Sequence, residues 1–578
     1  MSVELLRNQI DLIHIPFTER GSRLMLFRSD HQLYIRLAER WTKWEHEVGH
    51  YRERPPIFGS FTLLDADNTT ITAVEIETYP HCVRYLTAHG VFEWAFFDPE
   101  TILVRLPSGH FGFQFTVFAQ EGKADFRGGT LRGKRQFAYT TNARIVSNQV
   151  TRQNDTHFEI ALQVDSCDGD TLLLNITPRL AFNRSIPNPD DVIDLARKQW
   201  QSWLAAPPPV LERYQKHYQY AWWIMRAGLL NTRYYFTREA LVPSMIHYVG
   251  VWHWDQVFHA LAYRHVDTKL AEDQLRIVLD HQRSDGMLPD AIHDEGTITH
   301  LQRPVDADVT KPPIMTWAVM KLYEASRHED FLYEVYEPLT RWNQWWLDHH
   351  RDENGLCVYQ HPFSSGLDDH PLWDHGMPVT SPDLNTYLVL QQENLAKIAR
   401  LIGEDEAAES LEQAASDLYE RMLTHLWDEE RGYFRAYNAQ GTIPTFTPIH
   451  LLPLLTGKLS QPIADALVKY LFDPDHFWTA YPLATVSRQD PAFDPEQMWR
   501  GPVWVNINYL FVEALKRSGY PDQAAELRRK TLDMIIQHSD IYEYYNPLTG
   551  ERAPKAAPMF GWSAALFIEL ALDETRQE

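Results

Sequence analysis

The feature that most constrains this chain is a change of hydrophobic period close to residue 186. From about residue 9 to 185 apolar and polar residues alternate in short runs, as in Gly112-Phe113-Gln114-Phe115-Thr116-Val117-Phe118 and Thr171-Leu172-Leu173-Leu174-Asn175-Ile176. A strand points successive side chains to opposite faces, so this alternation predicts strands. Turn pairs such as Gly128-Gly129 and Asp168-Gly169 separate the runs, and strands at this spacing predict a β-sandwich over residues 1–185. Beyond residue 210 the period becomes helical. In Ser381 to Gly403 a Ser-Pro-Asp start supplies an N-cap and a proline at the first helical position. Leu384, Leu388, Leu395, Ile398 and Ile402 mark one face, and Gly403 ends the run. Val505 to Gly519 repeats the form, and roughly a dozen such segments follow from pattern alone. With almost no strands and no fixed-period repeat, residues 210–578 are expected to form a barrel of paired helices rather than a repeat array. Between the two regions, Pro187, Pro189, a short helical run near Asp190 to Leu204 and Pro207-Pro208-Pro209 read as a linker over 186–209. The fold class is therefore multi-domain, β followed by α.

Charge excludes several functions. Asp and Glu outnumber Lys and Arg by 78 to 54, a formal charge of -24, which opposes a phosphate-backbone partner. Neither nucleic acid nor an anionic membrane surface is expected, and no apolar run approaches the roughly 18 residues that span a bilayer. Met1 to Gln9 lack a basic start, a long apolar core and a small-residue cleavage site, so the chain reads as cytoplasmic. Three scattered cysteines, Cys82, Cys167 and Cys357, have no metal-ligand spacing and suit reduced, buried thiols. Nineteen Trp and 27 Tyr are the compositional outlier. Flat apolar faces with hydrogen-bonding rims suit sugar binding, although such clusters also build ordinary cores.

Four loops in the helical region carry the chemistry. In Gly250-Val251-Trp252-His253-Trp254-Asp255-Gln256-Val257-Phe258-His259, an aspartate beside aromatics can accept from sugar hydroxyls while a ring covers a C–H face; the plain alternative for Asp255 is a helix N-cap. His253, His259 and His265 recur every six residues, which does not put them on one helical face, so no metal is expected. Ser284-Asp285-Gly286-Met287-Leu288-Pro289-Asp290 and Lys311-Pro312-Pro313 are turn-like segments that read equally as loop punctuation or pocket rim. In Ser365-Gly366-Leu367-Asp368-Asp369-His370-Pro371-Leu372-Trp373-Asp374, crowded carboxyls raise one another's pKa and favour a proton donor near neutrality, with an acidic surface loop or a calcium-like site as alternatives. The last loops are Met498-Trp499-Arg500-Gly501-Pro502-Val503-Trp504-Val505-Asn506 and Ile541-Tyr542-Glu543-Tyr544-Tyr545-Asn546. Glu543 among tyrosines suits an ionised base, and glycoside hydrolysis needs two carboxyls across the scissile bond. There is no Gly-x-Ser-x-Gly elbow, phosphate-cradling loop or His-Glu-x-x-His.

Taken in order, these stretches resemble glycoside hydrolase family 63, in particular its smaller bacterial glucosylglycerate and mannosylglycerate hydrolases and the related glucosidases with an N-terminal β-domain. Pro312-Pro313, Asn546-Pro547-Leu548-Thr549-Gly550 and Phe560-Gly561-Trp562-Ser563-Ala564 belong to the same series. The resemblance implies an (α/α)6 barrel and an inverting mechanism with Asp368 as general acid and Glu543 as general base. It implies a sugar subsite lined by Trp252, Trp254, Asp255, Trp499, Arg500, Trp504 and Tyr544, and no cofactor. Relatives commonly carry Glu-Ser-Gly-x-Asp-Asn where this chain has Ser364-Ser365-Gly366-Leu367-Asp368-Asp369, and glutamine where it has Lys311. Asp369, His370 and Lys311 are thus expected to touch substrate, and Lys311, Arg500 or His370 to meet an acidic aglycone such as glycerate. The expected substrate is a small α-glucoside or disaccharide, with an α-mannoside or trehalose-type substrate as alternative. A catalytically silent sugar-binding barrel is the non-enzymatic alternative, and the oligomeric state is not readable.

Overall fold

The structure is a computed structural model that describes residues 3–39 and 56–577; the other residues of the 1–185 span lie outside it. Two compact units emerge. The first comprises residues 1–207, 226–231 and 245–249, and fourteen of its described strands build two large sheets. Neighbouring strands within them are antiparallel. One runs β1 (Leu24–Ser29), β2 (Gln32–Leu37), β3 (Phe58–Leu64), β8 (His110–Phe118), β13 (His157–Asp165), β12 (Arg144–Arg152). The other runs β4 (Glu75–Thr78), β5 (Val83–Thr87), β6 (Gly90–Asp98), β7 (Thr101–Arg105), β14 (Thr171–Thr177), β11 (Gln136–Thr141), β10 (Gly128–Arg132), β9 (Glu121–Asp125). The sheets meet through aromatic edges: Phe61 of β3 lies 5.0 Å from Trp94 of β6, and Phe115 of β8 lies 5.6 Å from Tyr139 of β11, both edge to face. In β13 buried residues fall on alternate positions, whereas β14 is buried throughout, because a central strand covered on both faces needs no polar side.

The span read as a linker contributes a full helix, α1 (Pro189–Ala205). Asn188 caps it by accepting from Asp190 N, and Pro189 takes the first turn, where its missing N–H costs nothing. The helix packs on β6, and Val192 joins a cluster with Cys82, Ala95, Leu103 and Leu173. Apolar burial on the sheet face makes this segment part of the β unit.

The second unit contains α2 (Gln215–Ala227, to Met225), α3 (His253–Tyr263), α4 (Thr268–Leu279), α5 (Met315–Ser326), α6 (Glu329–His349), α7 (Pro382–Leu401), α8 (Asp405–His425), α9 (Gln461–Leu471), α10 (Val505–Arg517), α11 (Pro521–Ile536) and α12 (Gly561–Gln577), with a 3-10 segment Pro448–Thr456. Contacts run in a cycle: α3 on α5, α5 on α7, α7 on Pro448–Thr456, that segment on α10, α10 on α12, and α12 back on α3. Helices of this ring are buried over more than half of their residues. Every residue of α3 is buried, whereas α8, which packs on α7, buries only Ala408, Ala415, Leu418 and Met422. A single apolar stripe suits a helix with one covered face, and the ring helices are covered on several. Ser381 stands at the N-cap position of α7, yet its hydroxyl is turned to the Asp383 carboxylate instead of a backbone N–H. Among the described residues no helix is long and apolar enough to cross a membrane.

Candidate active site

The loop bearing Asp368 is shaped by two short 3-10 turns. The first, Pro362–Ser365, ends at Gly366 with φ 74°, a left-handed conformation that glycine adopts freely. A Cβ there would sit 2.3 Å from the Trp254 ring, so the backbone lies directly on that indole. The second, Pro371–His375, is capped by His370, whose Nδ1 accepts from Leu372 N at 3.5 Å. Trp373 Nε1 donates to Leu367 O at 2.7 Å, which pins the backbone before Asp368.

Lys311 organises the carboxyls. Its ammonium is 2.6 Å from Asp290 Oδ1 and 3.9 Å from Asp368 Oδ1, and it donates to Phe363 O at 2.7 Å. Asp255 lies in the same field, with Lys311 favouring its ionised form and Asp290 and Glu543 opposing it. One cation among so many buried carboxyls cannot keep all of them ionised. Burial pushes Asp368 up to about 7, with Lys311 opposing and Asp290 and Asp369 adding to the rise. Burial likewise holds Asp255 well above the usual carboxylate range. Burial works against the Lys311 charge as well, but Asp290, Asp368 and Asp255 outweigh it and keep the ammonium charged. The Asp368 side chain nevertheless keeps 33% of its surface accessible. Both facts hold for a carboxyl surrounded by protein atoms with part of its side chain left exposed.

Glu543 is 2% exposed, and its Oε2 accepts from Ala557 N at 2.9 Å while its own N–H donates to Ala557 O at 2.9 Å. The same stretch is anchored at Asp540, whose Oδ1 accepts from Tyr220 at 2.8 Å and from Ile541 N at 2.7 Å. Next to Glu543, Tyr544 stacks on Trp504 at 4.7 Å, and Trp504 stacks on Trp499 at 3.7 Å. Trp499 N donates to Asp369 Oδ1 at 2.9 Å, and Gln497 Nε2 donates to Asp369 Oδ2 at 2.8 Å. A continuous path of contacts thus joins the Asp368 loop to the Glu543 loop. Trp254, 6.3 Å from Trp499, and Trp562, 5.5 Å from Trp504, complete the aromatic group.

The residues singled out in the sequence therefore fall into distinct environments. Asp368, Lys311, Asp255 and Glu543 share one electrostatic cluster. Trp254, Trp499, Trp504 and Tyr544 form the aromatic assembly beside it, and Trp252 is half-buried, edge-on to His293 at 5.3 Å. Asp369 uses both carboxylate oxygens on the Gln497–Trp499 segment. His370 is 1% exposed, its Nε2 is 3.3 Å from Thr485 O, and burial pushes it down to about 3, so it is neutral at pH 7. Arg500 donates to Asp369 O at 2.9 Å and pairs with Asp374. Asp255 lies inside the first turn of α3, whose N-cap is Trp252. Asp290, the closest partner of Lys311, closes the Ser284–Asp290 turn that reads from sequence as loop punctuation or pocket rim, with no role assigned to its carboxyl there. No group of three or more His, Cys, Asp or Glu able to hold a metal occurs among the described residues.

Trp254, Trp499, Trp504 and Tyr544 are all buried, so the aromatic group lies packed beside the carboxyls instead of lining an open surface. A raised carboxyl and a second buried carboxyl are the groups that glycoside hydrolysis uses. A family model described as mannosylglycerate hydrolase MGH1-like glycoside hydrolase domain matches residues 248–563, just over half of the chain. The chain belongs to this family, within glycoside hydrolase family 63. It is 28% identical over 417 residues to the mannosylglycerate hydrolase of Thermus thermophilus, covering 58% of this chain and 96% of the relative. A crystal structure of the GH63 mannosylglycerate hydrolase from Thermus thermophilus in complex with glucose matches with TM-score 0.52 and 25% identity, over 59% of this chain and 97% of that one. A bacterial glucoamylase structure complexed with acarbose matches in fold alone, at 11% identity and TM-score 0.62, over 98% of this chain and 95% of the other.

Proposed function

We propose that this protein is an inverting α-glycosidase releasing glucose from a small α-glucoside or disaccharide, with Asp368 as general acid and Glu543 as general base. The six-membered cycle of helical contacts supports reading the second unit as an (α/α)6 barrel with the site on its loops. The observation that carries the mechanism is the Asp368 carboxyl, pushed up to about 7 by burial while keeping an accessible face. Such a group holds its proton near neutrality and can pass it to a glycosidic oxygen as the bond to the anomeric carbon breaks. Glu543 then takes a proton from a water on the opposite face of the sugar, and that water's oxygen bonds to the anomeric carbon with inversion. Asp255, raised by burial in the same cluster, is proposed to bind sugar hydroxyls beside Trp252 and Trp254. Lys311, Arg500 and His370 all have partners within the protein, which favours a neutral aglycone. The relative named for mannosylglycerate supports a second reading, an α-mannoside of glycerate.

Three measurements test this. Asp368→Asn and Glu543→Gln are each expected to fold and to lose on the order of 10³-fold or more in kcat; near-normal turnover in either removes that residue's role. Proton NMR of the first-formed sugar is expected to show the β-anomer from an α-glycoside, and an initial α-anomer refutes inversion. Screening glucosylglycerate, mannosylglycerate, trehalose, kojibiose, nigerose, maltose and isomaltose separates the two substrate readings, and sugar bound without release establishes the silent-barrel alternative.

A further inference from the structure

The β unit contains a cavity of about 300 Å³ with no part in the chemistry above. It is lined by residues of β5, β6 and β7, by the segment around Tyr79 to Cys82, and by α1. Three arginines face it, and each is already matched to a carboxylate. Arg84 donates to Glu93 at 3.0 Å, Arg105 donates to Asp190 at 2.7 Å, and Arg197 pairs with Asp194. With Glu4 also on the wall, carboxylates outnumber guanidiniums, so an anion would meet net repulsion. His81 is 7% exposed, and its Nδ1 is buried without a hydrogen-bond partner among the described residues. A buried polar atom left in this way costs free energy that a ligand hydroxyl recovers once the His81 ring turns it toward the cavity. The Tyr79 ring, 5.5 Å from the His81 ring, supplies a flat face. The Cys82 thiol, pushed up to about 12 by burial, is no nucleophile there.

We infer that this cavity is a second, non-catalytic binding site for a neutral saccharide of one or two rings. Vicinal hydroxyls both donate and accept, and an alternating rim of guanidinium and carboxylate offers both partners, with an aromatic face for the ring C–H groups. At about 300 Å³ the cavity is at the small end of ligand pockets. The inference does not rest on the proposed roles of Asp368 and Glu543.

Hydrogen–deuterium exchange on the full chain tests it, with glucose or maltose as probe and inorganic phosphate as the anionic control. Either sugar, at up to about 50 mM for millimolar affinity, is expected to slow exchange over residues 79–98 and 189–197. The same slowing is expected in Asp368→Asn, which separates this site from the catalytic one. Ile193→Trp fills the cavity from α1 and is expected to weaken the sugar effect about tenfold or more while leaving turnover of small substrates unchanged. Should Ile193→Trp unfold, His81→Phe keeps the ring, removes both nitrogens and is expected to weaken sugar binding likewise. No slowing with either sugar, equal slowing with phosphate, or full retention in a folded variant overturns the inference.

Discussion

The Lys311→Gln substitution probes the electrostatics of the site most directly. At an effective dielectric of about 20, a unit charge at 3.9 Å from Asp368 attracts the ionised carboxylate by about 4 kcal/mol. Asp290 opposes this. Its oxygen is 2.6 Å from the same ammonium, hence no more than about 6.5 Å from Asp368 Oδ1, and at that distance it repels by about 2.5 kcal/mol. The net favour to the ionised form is thus at most about 1.7 kcal/mol, or about one pH unit, and the accessible third of the Asp368 side chain trims it further. Glutamine removes the cation and leaves Asp290 buried without a counter-charge, so Asp290 takes a proton and its repulsion vanishes as well. Asp368 then rises by up to about one unit. A general acid works only while protonated, so the sign is fixed: activity must persist to higher pH. In kcat/KM against pH for a poorly leaving disaccharide, the basic limb is expected near pH 7 in the wild type and up to about one unit higher in the variant. A limb that stays in place or moves toward acid refutes both the coupling and the role of Asp368.

Other perturbations follow from the same geometry. Gly366→Ala forces a side chain into a left-handed position against the Trp254 ring and is expected to lower stability by about 2 kcal/mol or more, with kcat falling too, read by thermal unfolding and turnover. Asp369→Ala leaves Trp499 N and the Gln497 amide without their acceptor and is expected to cost about 1–3 kcal/mol; an unchanged denaturation midpoint removes the brace. Glu569 of α12, 2.7 Å from both Arg264 and His265, is depressed from 4.5 to about 2 because the Arg264 guanidinium and the His265 contact outweigh the cost of burial. Its depressed value means that the pairing stabilises the fold fully above about pH 4.5 and is lost as pH falls toward about 2. In Glu569→Gln the difference in stability from wild type should therefore shrink over that window, starting from about 3 kcal/mol near neutrality.

Legibility in the sequence followed the physics of each element. Alternation in Phe111 to Val117 was readable because burial on one side imposes a period, and α7 and α10, though covered on several faces, were readable from their caps and the helical spacing of their largest apolar residues. The docking of α1 was not, since its flanking prolines describe only the local chain, whereas Val192 finds Cys82, Ala95 and Leu103 across the sheet. Asp368 and Glu543 stood out as carboxyls in aromatic loops. Crowding among Asp368, Asp369 and Asp374 anticipated a raised carboxyl, but Asp369 and Asp374 are turned to Gln497, Trp499 and Arg500. Burial is the main cause of the rise at Asp368. Lys311 looked like a ligand-facing cation because its partner Asp290 comes from a separate loop, and side-chain direction is set by tertiary contacts that spacing does not encode. His370 likewise became a cap and a buried neutral ring.

The stack of Trp499, Trp504 and Tyr544 has a consequence for bond-breaking geometry. Asp369 holds one end of it beside Asp368, and the backbone joins the other end to Glu543. Ring thickness is incompressible on the scale that matters here, with centroids 3.7 and 4.7 Å apart. Under the proposed mechanism the stack acts as a gauge block between the Asp368 and Glu543 loops, and inversion would depend on that gap admitting one water. On that reading, thinning or loosening any ring, even one that never meets a sugar, is expected to reset the gap and lower turnover.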